Sequence, residues 1–66
     1  MKQISLRAAR TNAGFSQKSA AKRIKVGKQT ICNWERGRTK IDANSFLKLC
    51  RLYNLSPQDI SLPVNF

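Results

Sequence analysis

Three residues, Lys25 to Gly27, are all that separates two stretches of helical pattern, and this interval constrains the fold more than any other feature of the chain. Upstream, residues 17–24 bring Ala20, Ala21 and Ile24 to one side of a helix. Downstream, residues 28–36 bring Ile31 and Trp34 to one side. Two short helices joined so tightly must cross at a steep angle. The adjacent alanines suit a close crossing.

Helical punctuation recurs on either side of this pair, and no stretch alternates apolar and polar residues for long. A first helix is expected over residues 3–13, with Ile4 at its start, Leu6, Ala9 and Ala13 on one face, and Gly14 as a stop. Ser16 offers an N-cap to the second helix. Gly27 is an acceptable cap for the third but brings no side-chain acceptor, and Gly37 ends that helix. Asp42 caps a fourth, residues 43–53, whose inward stripe reads Ala43, Phe46, Leu47, Cys50 and Tyr53. Asn54 can take the left-handed stop. The run Ser56-Pro57-Gln58-Asp59 sets a cap, a proline at the first helical position and an acid at the third, so a short fifth helix is expected over 57–61, before an apolar tail over 62–66. The expected architecture is all-α: one domain over residues 1–66, five helices, with the second and third forming a helix-turn-helix.

Sixty-six residues leave no room for a second domain. Lys and Arg number 13 against three acids, Glu35, Asp42 and Asp59, for a net charge of +10. Self-repulsion of that size destabilises a compact state unless an anionic partner offsets it, and nucleic acid, an acidic protein and an anionic membrane are the candidates. No apolar run approaches the ~20 residues of a membrane span. The N-terminal MKQISLRAAR lacks the apolar core of a signal peptide, so a cytoplasmic location is expected. Cys32 and Cys50 do not stand at metal-ligand spacing, there is no histidine to act as a base, and no carboxylates pair closely in sequence. No metal, cofactor or enzymatic activity is expected.

On the third helix Lys28, Gln29, Cys32, Asn33 and Arg36 share the face opposite Ile31 and Trp34. Any soluble helix shows polar residues on its outside. These particular side chains, however, match base edges: Gln or Asn can bond adenine N6 and N7, Lys can donate to guanine O6 and N7, and a small group such as Cys32 can touch a thymine methyl. Trp34 faces inward with Ile31, where core packing rather than base stacking is its expected role.

The segment GFSQKSAAKRIKVGKQTICNWERGRTK resembles the helix-turn-helix of the lambda-repressor-like family, to which Cro and the phage repressors belong. Gly14, Phe15, Ser16 and Gln17 match the opening of its second helix. Ala21 matches the alanine four residues after the Gln, Val26 the hydrophobic residue just before the third helix, and Thr30, Ile31, Trp34, Glu35 and Gly37 the pattern that follows. The later KLCRLYNLSPQDI fits the closing helices. Gly27 stands where a capping Ser or Thr is common, Ala20 where a larger aliphatic residue is usual, and Ile41 where Pro is common. The resemblance implies a third helix in the DNA major groove, with Lys28, Gln29 and Asn33 reading bases. It implies that Gln17 at the start of the second helix holds a phosphate, and that Arg36, Arg38, Thr39 and Lys40 meet others. It also implies an ion pair between Arg10 and Glu35. Lys18, Lys22, Lys25 and Lys48 remain a solvated positive field.

The expected function is sequence-specific binding of a double-stranded DNA operator by a small Cro-like repressor, the bare length arguing against a full repressor with a second domain. One such module reads few base pairs, so a dimer on a near-palindrome is expected. Leu52, Leu55, Val64 and Phe66 are candidates for a weak dimer contact strengthened on DNA; the alternative is that the tail covers its own core. An antitoxin that binds a protein as well as DNA is a second reading. A cationic membrane-active peptide is a third, against which the repeated helix caps speak.

Overall fold

A computed structural model describes residues 3–62 of the chain. The element order is β1 (Ile4–Ser5), α1 (Leu6–Asn12), α2 (Gln17–Ile24), α3 (Lys28–Arg36), α4 (Ala43–Tyr53), a 3-10 turn (Pro57–Asp59) and β2 (Ile60–Ser61). The caps follow from short polar side chains. The Ser5, Ser16 and Asp42 side chains accept from the backbone N–H groups of Ala8, Ser19 and Ser45. Ser19 reciprocates by accepting from the Ser16 backbone, which closes a capping box. Gly27 caps α3 with no side-chain bond.

All four helices end on one device. Gly14, Lys25, Gly37 and Asn54 take the left-handed conformation, at φ of 84, 61, 74 and 59°. In each case the residue after it donates its N–H to a carbonyl five residues back: Phe15 to Arg10, Val26 to Ala21, Arg38 to Asn33 and Leu55 to Cys50, at 2.9–3.1 Å. Phe15, Val26 and Leu55 then tuck half-buried against the core. Lys25 is the exception in kind, because a side chain in this region costs about 1 kcal/mol that glycine avoids.

Two expectations are corrected here. Among the described residues there are four α-helices, not five. Over 57–61 the chain makes a single 3-10 turn, in which Asp59 N–H bonds Ser56 and Ile60 N–H bonds Pro57. It then extends at Ile60, which pairs in parallel with Ile4 as Ser61 pairs with Ser5. The capping motif starts a turn, but the β-branched Ile60 is 3% exposed, and it fills the core from an extended backbone. For the same reason residues 4–5 are strand rather than helix, and α1 begins only after its Ser5 cap.

The second correction concerns which side of α4 is inside. Leu47 is 46% exposed and Ala43 is exposed, while Leu49, absent from the expected stripe, is 2% exposed. Phe46, Leu47, Leu49 and Leu52 make this helix apolar on two sides, so spacing alone leaves the arc open. Packing against α2, α1 and the 3-10 turn decides it. Ala13 is likewise exposed, because α1 has already ended and Gly14 turns the chain away. The core gathers Leu6, Ala9, Ala20, Ala21, Ile24, Ile31, Trp34, Leu49, Cys50, Tyr53 and Ile60. Ala20 at 0% and Ala21 at 2% exposure sit at its centre, where α2 packs on both α3 and α4. Among the described residues no helix is long and apolar enough to cross a membrane.

Tyr53 closes the core with its ring 6.1 Å from that of Phe15. Burial, reinforced by the Glu35 carboxylate and opposed by Arg10, pushes its phenol from 10 up to about 12. Between those values the unfolded chain releases this proton and the folded chain keeps it, so stability falls as pH rises through the window. The thermal midpoint followed by circular dichroism should decline more steeply there for the parent than for Tyr53→Phe; parallel curves refute the assignment.

Candidate nucleic-acid interface

Two core side chains determine what α3 presents to solvent. Ile31 and Trp34 are 1% and 8% exposed, and Gly37 ends the helix one turn later. The opposite face then stands clear of the body. Lys28, Gln29 and Arg36 are exposed, and Cys32 and Asn33 are half-buried. Gln29 Nε2 donates to Asn33 Oδ1 at 3.0 Å, a bond one helical turn long that makes the two amides a unit. Its only sequence signal is their four-residue spacing. Arg38, Thr39 and Lys40 follow α3 on the surface, all exposed.

Behind this face lies a polar knot joining three helices. Arg10 of α1 donates from Nε to Glu35 Oε2 of α3 at 2.7 Å, and from Nη2 to Oε1 at 3.4 Å. Its Nη1 donates to the Phe15 carbonyl at 2.9 Å. Gln17 of α2 adds a third arm, Nε2 to Glu35 Oε1 at 3.1 Å. The Arg10 and Glu35 side chains are only 9% and 5% exposed. Both members of the expected pair are therefore together, and the pair is bidentate.

Gln17, assigned to a phosphate by resemblance, is tied inward by one N–H. The amide carries a second donor, so Glu35 orients the group without exhausting it. This bond has no signal in the sequence beyond the residue types. Beside it opens a cleft of about 540 Å³ at the N-terminal end of α2, lined by Arg7, Lys18, Lys28 and Arg36 together with the paired Arg10 and Glu35. The start of a helix ringed by four cations suits an anion. Arg7 was not legible as part of this rim, although it lies one turn before Arg10 on the same helix.

The remaining candidates divide. Leu52 and Leu55 are half-buried against the core, and Val64 and Phe66 lie outside the described residues. Cys32 and Cys50 are free thiols. Burial, and secondarily the Asp59 carboxylate, push the Cys50 thiol up, which marks it as inert core. Among the described residues no group of three or more His, Cys, Asp or Glu side chains could hold a metal ion.

A family model described as helix-turn-helix matches residues 6–60. Among curated proteins, the chain is similar to the HTH-type transcriptional regulator ImmR of Bacillus subtilis (strain 168), with 41% identity over 51 residues. The matched region is 77% of this chain and 40% of that relative, so the chain spans well under half of the relative's length.

The knot sets a measurable coupling. Glu35→Ala or Arg10→Ala leaves a buried charge without its partner and should each lower stability by about 3–5 kcal/mol. The double replacement Arg10→Met/Glu35→Leu removes both charges and should recover most of that loss in urea denaturation. Additive losses in the double variant refute the coupling.

Proposed function

The chain belongs to the helix-turn-helix family, and from that premise we propose that it is a sequence-specific regulator of transcription that binds double-stranded DNA. The observation that carries the reading is the outward face of α3, on which Lys28, Gln29, Cys32 and Asn33 lie opposite the buried Ile31 and Trp34. A helix held this way can enter the major groove with its amide and ammonium groups foremost. The relative's role as a transcriptional regulator supports the reading, and the net charge of +10 supports a polyanionic partner.

In this proposal Lys28, Gln29 and Asn33 read base edges, and Cys32 contacts a thymine methyl. The mutual bond of Gln29 and Asn33 leaves Gln29 Oε1 and its second N–H to face an adenine as a pair. The cleft at the start of α2 receives one phosphate through Gln17 and the helix N-terminus. Arg36, Arg38, Thr39 and Lys40 receive the phosphates that flank the groove. Bound across a promoter, the protein represses by occlusion, as a small Cro-like regulator.

A single recognition helix covers too few base pairs for tight selection, so two copies bind a near-palindrome one turn of DNA apart, about 34 Å. The dimer contact we propose rests on Leu55 and the chain that follows it. Leu52 lies among cations and is a poor seat for a second chain of charge +10. Such a contact is weak without DNA.

Lys28→Ala, Gln29→Ala and Asn33→Ala should each cost roughly 1–3 kcal/mol on the selected site and relax preference at one position. Lys40→Ala should weaken binding to all sequences alike and reduce the salt slope by about one. Competition titrations on selected and random duplexes distinguish the two classes, and identical behaviour refutes the division of roles. For the dimer, sedimentation at micromolar protein should give a monomer alone and a 2:1 complex on operator DNA; a stable dimer without DNA refutes the weak contact.

A further inference from the structure

The outward face of α3 leaves the C-terminal end of α2 unexplained. There the C-terminal ends of α2 and α4 form an open groove of about 490 Å³, with Ile24 and Leu52 as its apolar floor and Arg23, Lys25, Lys48 and Arg51 around it. We infer that this groove is a docking site for an acidic amphipathic segment of a different protein, its carboxylates on the four cations and its apolar side chains on Ile24 and Leu52.

Four observations carry the inference. The first is charge. Each of the three acids already has a task elsewhere: Glu35 in the polar knot, Asp42 capping α4 and Asp59 capping the 3-10 turn. Among the described residues no carboxylate lines the groove, and Asp42, which feels the charge of Lys48, is the one acid near its rim. The helix dipole, which favours basic residues at C-termini, accounts for Arg23, Lys25 and Arg51, and Arg23 also lies over the Phe15 ring, 5.6 Å from its centroid. It accounts neither for Lys48 nor for an apolar floor.

The second observation is Lys25, which holds a left-handed backbone that glycine would adopt without strain. The chain keeps a cation at the groove's edge at the expense of its own stability, as functional positions do. The third is Leu47, at 46% exposure, one helical turn before Arg51. It extends the apolar surface of α4 past the groove, so the outward side of that helix reads Leu47, Lys48, Arg51, Leu52. The fourth is position. The groove sits at the far end of α2 from Gln17, a helix length of about 12 Å, and although its Lys25 precedes Lys28 by only three residues, α3 contributes nothing to its lining.

These facts also select the occupant. A second copy of this chain would bring +10 against four cations. A nucleic-acid backbone would satisfy the cations and gain nothing from Ile24, Leu52 and Leu47. An acidic segment with leucines between its carboxylates uses both parts of the surface.

The test is fluorescence anisotropy with a labelled peptide that carries glutamates on both edges of a leucine stripe, titrated with the full 66-residue chain. Companion peptides replace every Glu by Gln or every Leu by Ser. The parent peptide should bind, and both companions should lose binding. Lys48→Ala and Arg51→Ala should each weaken the peptide about two- to fivefold, the effect of an exposed charge pair, and Leu47→Ser should weaken it as well. Lys25→Gly should weaken the peptide while raising the thermal midpoint, a combination that loss of folding cannot produce. The salt slope of duplex DNA binding should be unchanged in all four variants. Equal binding of the Leu-to-Ser peptide overturns the proposal in favour of a general anion surface. A reduced salt slope on duplex DNA assigns the groove to nucleic acid, and a changed sedimentation coefficient assigns it to self-association; either result overturns it. Failure of the peptide to bind does so too, and leaves the DNA-binding reading untouched because the duplex titrations are separate.

Discussion

The bond between Arg10 and Glu35 fixes the relation on which everything else in this protein depends, that of α3 to the rest of the chain. A nine-residue helix with no side-chain cap has little claim to stability by itself. Its position is set by Ile31 and Trp34 from the apolar side and by Glu35 from the polar side. Glu35 gathers Arg10 from α1 and Gln17 from α2, and Arg10 reaches on to the Phe15 carbonyl between those helices. One carboxylate thereby sets the rotation of α3 against both neighbours. A buried pair of this kind adds little net stability compared with an apolar replacement, so its value lies in the single arrangement it permits. An acid so close to a surface otherwise rich in cations would repel DNA if it pointed outward. Tied to Arg10, it lines the cleft at the start of α2 with its charge paired.

What could be read from the sequence was what local chemistry decides. Ser16 and Asp42 announce helix starts because a short side-chain oxygen meets free N–H groups there, whatever the fold. Gly14, Gly37 and Asn54 announce helix ends because few other residues reach the left-handed region cheaply. Lys25 gives no such signal, and only the shortness of the link to α3 betrays the turn. The fifth segment was misread for a related reason. Its capping motif is real and its first bonds form, but Ile60 is claimed by the core and by Ile4, fifty-six residues earlier, a long-range pairing that no local pattern announces. Leu47 and Leu49 exchanged places because α4 is apolar on two sides and its neighbours, not its periodicity, choose between them. In the site, the residue types on the outward face of α3 were legible from spacing. The hydrogen bonds that orient them, Gln17 to Glu35 and Gln29 to Asn33, depend on rotamers and on the packing of three helices.

The distribution of charge explains how so small a chain tolerates +10. With three acids, it cannot neutralise its cations internally, and it spends those acids on structure: one ion pair and two caps. Apart from the paired Arg10, eight of the cations line two clefts instead. Arg7, Lys18, Lys28 and Arg36 surround the start of α2, next to the outward face of α3. Arg23, Lys25, Lys48 and Arg51 surround the groove at the other end. The two clefts lie at the two ends of α2, which lowers their mutual repulsion, although Lys28 of the first follows Lys25 of the second by only three residues.

That separation rests in turn on Ala20 and Ala21. Their small side chains let α2 lie at the centre of the fold, against α3 on one side and α4 on the other, with no exposed surface at Ala20. A larger residue at either position would push a neighbour outward. Displacing α3 would stretch the bond from Glu35 to Gln17, and displacing α4 would open the groove floor between Ile24 and Leu52. The same two methyl groups thus hold both cationic surfaces in register, one through each neighbouring helix. A short chain can carry two surfaces of the same charge because its central helix is thin enough to be packed from both sides and long enough to keep them apart.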